Sequence, residues 1–179
     1  MPENAPVARF HLSLGSNVGD RAGAIAEALA RLRAAGLAID RVSSLWETQP
    51  VGGAAGPDWF LNAAASGETA LGAEEVLGIC LSVERGMGRE RTIAGGPRVI
   101  DVDLLMLGDV RVSRPGCEVP HPRMHERRFV LEPLCEIEPD ALHPGLGLTI
   151  AQLLEHVEDP HRVRAFGPPA ETSPAAARS

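Results

Sequence analysis

The chain has 179 residues, 44% hydrophobic and 23% charged, which is enough for one buried core and excludes disorder throughout. No apolar run approaches the roughly 18–20 residues of a membrane helix, and residues 1–10 lack a signal peptide's apolar stretch. Cys80, Cys117 and Cys135 are scattered without CxxC spacing, which argues against a disulfide framework or structural zinc and leads us to expect a reducing cytoplasm and no membrane.

Residues 8–14 (ARFHLSL) alternate apolar and polar and run into Gly15-Ser16-Asn17, the pattern of a strand and a turn. Asp20 is placed to cap a helix over 21–35, where Ile25, Leu29 and Leu32 share a face and Gly36 is the stop signal. A strand is predicted over 37–47, a loop over 48–58 and a third strand over 59–69. Val76, Leu77, Cys80 and Val83 give helical spacing over 73–85, and glycines 86, 88, 95 and 96 leave an arginine-bearing loop over 86–97. Residues 99–107 form the strongest strand, followed by a short one near 110–112 and a helix over 126–136. Thr149 and Gln152 make a capping box for a last helix over 150–157. One domain over 1–165 and a disordered tail over 166–179 are expected, and the mixed order without strict βα alternation favours an α+β layer fold.

All 17 basic residues are arginine. Without lysine there is no Walker A loop, no Schiff base and no protein-kinase lysine. The net charge is −7 and tyrosine is absent, so no nucleic-acid partner is expected. Two segments run against that balance: 84–98 and 121–128 each carry a net +2. Arginine-rich islands in an acidic chain suit a small anionic ligand.

Beside the first island, strand geometry sends Asp101 and Asp103 to one face with Cα atoms about 6.5–7 Å apart. Such a pair repels unless a cation neutralises it, and hard oxygen ligands select Mg²⁺. Carboxylates for Mg²⁺ and guanidinium forks for phosphate are the parts phosphoryl transfer uses. A bare D-x-D can equally face water on a half-exposed strand, and Arg85 reads as a surface residue. His121, between Pro120 and Pro122, is rigidly presented and is either structural or catalytic. Asn62 is either a backbone anchor or a reader of a ligand's amide edge, and Phe60 and Phe129 are by default core.

GPRVIDVDLLML (96–107) resembles the signature of the 6-hydroxymethyl-7,8-dihydropterin pyrophosphokinase family. LGSNVGDR near the start, ETQPVG (47–52), FLNAA (60–64), ERGMGRER (84–91) and VPHPRMHERRFVLEPL (119–134) follow in the family's order, over roughly residues 8–157. The resemblance implies an α+β ferredoxin-like sandwich, mostly antiparallel, flanked by helices and without a P-loop. It implies a cytoplasmic enzyme, expected to be a monomer, that moves diphosphate from ATP to the pterin hydroxymethyl oxygen and releases AMP for folate biosynthesis. By the same resemblance Asp101 and Asp103 hold two Mg²⁺, and Arg89 and Arg98 stabilise charge at the transferring group. Arg91, His121 and Arg127 would contact ATP, with Glu84 and Leu104 lining the nucleotide site. The pterin would lie between Phe60 and Phe129, with Asn62, Thr48, Gln49 and Val51 reading its edge. The arginine loop is one residue shorter than in well-known members and has Gly95 where many carry an aromatic. A Mg²⁺-dependent phosphohydrolase and a non-catalytic ferredoxin-like nucleotide-binding module are the competing readings.

Overall fold

The structure, a computed structural model, describes residues 6–49, 59–88 and 98–170. Strand β1 (Ala8–Ser16) lies inside the sheet and is covered on both faces. Phe10, Leu12 and Leu14 enter one hydrophobic cluster, while the alternate residues His11 and Ser13 face the other way. Helix α1 (Arg21–Ala34) starts where the Asp20 carboxylate accepts the Gly23 N–H at 3.0 Å, and it buries Ile25, Ala28, Leu29 and Leu32. Strands β2 (Ala38–Val42), β3 (Leu45–Thr48) and β4 (Phe60–Thr69) precede α2 (Ala73–Gly86), whose Glu75 carboxylate accepts the Gly72 N–H at its start. Next come β5 (Asp101–Leu107), the hairpin β6 (Val112–Arg114) and β7 (Cys117–Val119), and a 3₁₀ turn at Met124–Glu126. Helices α3 (Arg128–Ile137) and α4 (Ile150–His156) and strand β8 (Val163–Gly167) complete the order.

The main sheet runs β5-β1-β4-β3-β8, with β2 also on β4, and every pairing is antiparallel. The β1-α1-β2/β3-β4-α2-β5 order is the ferredoxin-like α+β sandwich that was expected. Helices α1 and α2 pack on one face over Phe10, Leu12, Leu14, Val102 and Leu104. On the other face α3 and α4 pack over Ala64, Leu105 and Met106, and cover only part of the sheet.

Five details correct the sequence reading. The strand expected over 37–47 is two strands, because the Ser43 hydroxyl replaces a backbone acceptor for the Ala64 N–H at 2.8 Å. The strongest strand begins at Asp101 and not at Val99, since the backbone at Arg98 bonds instead to Asn17. The short strand expected near 110–112 lies at 112–114 and pairs with β7, which the sequence did not reveal. The helix expected from 126 starts at Arg128, after the 3₁₀ turn. Residues 163–167, partly assigned to a disordered tail, form β8 on the edge of β3; composition does not encode that long-range pairing.

Gly67 in β4 shows how tightly the strands approach. A Cβ there would sit 2.0 Å from the Ala38 carbonyl oxygen and 2.8 Å from the Phe10 ring. Gly67→Ala is expected to cost at least about 2 kcal/mol. Thermal unfolding should therefore show a Tm lower by roughly 4–8 °C.

His11 is buried, and neither ring nitrogen makes a hydrogen bond. Burial pushes its pKa down to about 4; Glu138, 4.0 Å away, pulls the other way, and the Arg9 and Arg41 guanidiniums add to the depression. The folded state thus holds a neutral imidazole, whereas the unfolded chain takes up a proton below about 6.5. This contribution is complete above pH 6.5 and falls away as the pH drops toward 4, by about 2–3 kcal/mol at pH 4.5. His11→Gln should remove that part of the acid sensitivity, read as the change in urea midpoint between pH 7 and pH 4.5. An unchanged difference between the two pH values would refute the assignment.

Candidate active site

The site forms on the sheet face that α3 and α4 leave partly uncovered. The β1–β5 register sets Gly15 opposite Asp101 and Ser13 opposite Asp103, and the β1–β4 register sets Gly15 opposite Asn62. Asp101, Gly15 and Asn62 therefore lie in one row across three strands, and Phe60 is matched with Thr48 of β3 at the next position on that face. With Phe129 from α3 and Arg127 just before it, these residues line a cavity of about 200 Å³ that also takes in Arg98 and Gln49.

At one end of the cavity, Arg98 Nη1 donates to Asp101 Oδ2 at 2.8 Å. Burial works against the Arg98 charge, but the Asp101 hydrogen bond and the carboxylates of Asp101, Asp103 and Glu84 outweigh it, so its pKa is raised. The Arg98 backbone is held as well: its N–H donates to Asn17 Oδ1 at 2.6 Å, and its carbonyl accepts the Asn17 N–H. Arg127, half-buried, has its pKa lowered by burial and by Arg123, against the pull of Asp103 and Glu126. Its guanidinium lies 5.6 Å from the centre of the Phe129 ring. At the other end Asn62 is buried and donates from Nδ2 to Thr48 Oγ1 at 2.7 Å. Asn62 thus bonds the Thr48 side chain and not a backbone group, and it lines the cavity.

Nine of the residues singled out by sequence line this cavity: Asp101, Asp103, Arg98 and Arg127 at the charged end, with Phe60, Phe129, Asn62, Thr48 and Gln49. Arg89, Arg91 and Val51 lie outside the described residues. Three residues expected at the nucleotide site do not line this cavity. Leu104 is buried in the cluster under α1 and α2, because alternation along β5 turns it away from Asp103. Glu84 is also buried, and its carboxylate accepts the Val102 N–H at 2.8 Å; it clamps the edge strand between the two aspartates. His121 does not line the cavity. Its N–H donates to the Leu105 carbonyl, its Nδ1 accepts the Arg123 N–H at 3.2 Å, and burial together with Arg127 lowers its pKa.

The sequence reading missed Ser13 and Gly15. Both belong to the strand motif HLSLGS, where period-two alternation puts them on the face opposite Leu12 and Leu14. Gly15 is required for a local reason, since a Cβ there would sit 2.7 Å from Asn62 Oδ1. Among the described residues no cluster of three or more His, Cys, Asp or Glu side chains could hold a metal by itself. A lone carboxylate pair suits Mg²⁺, which keeps most of its waters and shares substrate phosphate oxygens.

Residues 11–139 match the family model described as 7,8-dihydro-6-hydroxymethylpterin-pyrophosphokinase (HPPK). A 2-amino-4-hydroxy-6-hydroxymethyldihydropteridine pyrophosphokinase from Methylorubrum extorquens is 43% identical over 138 residues, which cover 76% of this chain and 87% of that protein. The mitochondrial folate synthesis bifunctional protein of Arabidopsis thaliana is 43% identical over 126 residues, 70% of this chain but 23% of that longer protein. In fold, the chain resembles the Plasmodium falciparum HPPK-DHPS wild type solved with SDX-DHP, with a TM-score of 0.65 at 16% identity, covering 86% of this chain and 45% of that one.

The Gly15–Asn62 approach can be tested by a double-mutant cycle. Gly15→Ala should displace Asn62 from Thr48 and cost about 1–3 kcal/mol in urea unfolding. In the Asn62→Ala background the same change should cost much less, leaving a coupling of more than about 1 kcal/mol. Additive costs would show that the contact does not hold the amide in place.

Proposed function

Since this chain belongs to the 7,8-dihydro-6-hydroxymethylpterin-pyrophosphokinase family, we propose that it transfers diphosphate from ATP to the hydroxymethyl oxygen of 6-hydroxymethyl-7,8-dihydropterin in folate biosynthesis. The observation that carries this reading is one cavity lined by a carboxylate pair, two arginines and two phenylalanines. A flat heterocycle needs apolar faces and an in-plane polar edge. Phe60 and Phe129 supply the faces; Asn62, Thr48 and Gln49 supply the edge, joined by Val51 from outside the described residues.

In the reaction the pterin hydroxymethyl oxygen attacks the β-phosphorus of ATP, forming a new P–O bond. The bond from that phosphorus to the α,β-bridging oxygen breaks, AMP leaves, and the hydroxymethyl proton is released. Asp101 and Asp103 would hold two Mg²⁺, whose chemistry when bound is to neutralise phosphate charge. Arg98 and Arg127 orient polyphosphate oxygens and meet the charge that shifts toward the leaving AMP. Arg89 would stabilise charge at the transferring group and Arg91 would contact ATP; both lie outside the described residues. Asn17 and Glu84 hold the backbone under Arg98 and the two aspartates, so these side chains need little reorganisation. Burial and the nearby Arg127 disfavour the charged form of His121, which would contact ATP. The buried, free Cys80 and Cys117 fit a reducing cytoplasm as the compartment.

The test is to mix the protein with ATP, Mg²⁺ and the pterin alcohol and to resolve nucleotides by chromatography. AMP should appear only when the pterin is present; phosphate or diphosphate release without it would favour a hydrolase. Asp103→Ala should fold normally and lose about 1,000-fold in turnover, as expected for several kcal/mol of lost charge stabilisation. Near-normal turnover in that variant would overturn the metal assignment.

A further inference from the structure

The stretch that follows α4 joins two walls of the cavity that are otherwise far apart in sequence. Asp159 Oδ2 accepts the Arg128 N–H at 3.0 Å, in the first turn of α3 and one residue before Phe129. Three residues on, Arg162 and Gln49 exchange two hydrogen bonds: the Gln49 N–H donates to the Arg162 carbonyl at 2.9 Å, and the Arg162 N–H donates to Gln49 Oε1 at 3.2 Å. Phe129 and Gln49 both line the cavity, so its aromatic face and its polar edge hang from points only three residues apart. An extended chain spans at most about 11 Å over that distance, which bounds the separation of the two anchors. The Asp159 carboxylate also accepts the His161 N–H at 3.0 Å, which stiffens the link between them.

A third anchor lies at Arg164 in β8. Its guanidinium donates to Glu47 beside Thr48, with Nε at 3.0 Å, and stacks 4.5 Å from the centre of the Trp59 ring, next to Phe60. Arg21 reinforces it by donating to Glu47 and to the Trp59 carbonyl. The stretch lies beyond residue 139, outside the segment that carries the family match.

We infer that residues 159–164 are a strap that sets the width of the pterin slot, with Asp159 and Arg164 as positioning residues. This rests on the pterin occupying that cavity. Removing either anchor should loosen the spacing of Phe129, Gln49 and Phe60 while leaving Asp101, Asp103 and Arg98 on β5 and its approach unchanged.

The experiment is steady-state kinetics on the full chain with 6-hydroxymethyl-7,8-dihydropterin and ATP each varied, alongside thermal melts. Asp159→Ala and Arg164→Ala should raise the KM for the pterin about tenfold. The KM for ATP and kcat should stay within about twofold. Asp159→Asn keeps an acceptor for the Arg128 N–H and should restore the pterin KM. The Arg164 side chain is 66% exposed, so Arg164→Ala decides alone if Asp159→Ala melts below the assay temperature. A pterin KM within twofold of the parent in both alanine variants, or an equal rise in both KM values, overturns the strap. A parent protein that turns over no pterin overturns the assigned reaction and the strap together.

Discussion

Two negative charges on one face of an edge strand set the terms for the rest of this molecule. Asp101 and Asp103 share a cavity with only one residue between them, and such a pair is tolerable only where cations gather. Arg98 answers the first of them directly. The remaining architecture fixes where the pair points. Val102 and Leu104 are locked into the cluster under α1 and α2, and the Glu84 carboxylate takes the one Val102 N–H that faces away from β1. A register slip of one residue would bury both carboxylates in an apolar layer, so packing on one side of the sheet enforces chemistry on the other.

The sequence revealed the parts of the site that follow from local periodicity. Strand alternation alone placed Asp101 with Asp103, and helical spacing located α1 and α2 nearly to the residue. The β1–α1–β4–α2–β5 core of the sandwich was legible for the same reason. What stayed hidden depends on partners distant in the chain. Glu84, which the resemblance assigns to the nucleotide site, is a buried clamp on the Val102 N–H because β5 packs beside α2, and no local pattern announces that. Strand β8 looks like tail because alanine, glycine and proline dominate its surroundings, and only the open edge of β3 makes it a strand. Ser13 and Gly15 carry no charge to draw attention, and their importance comes from the strands on either side.

The polar end and the aromatic end of the cavity are built by different means. Around Asp101 and Asp103 the determinants are charge and backbone hydrogen bonds, with guanidiniums that stay protonated at any pH the fold survives. Around Asn62 they are close packing and two buried hydrogen-bonding side chains, Asn62 and Thr48, which satisfy each other before any ligand arrives. Placing an amide against a glycine leaves little room for adjustment, so shape is fixed at that end and charge at the other.

The sheet itself divides these duties. Its α1–α2 side is a continuous apolar layer with no lining residue of the cavity in it, while the α3–α4 side is shared between a smaller apolar cluster and the ligand space. An engineer seeking a hardier protein could therefore repack much of the first side without touching a lining residue, provided Gly67, Glu84 and the β5 residues Val102 and Leu104 are left alone. Drift on the second side would have less freedom, because there an apolar cluster and the cavity share one face of the sheet.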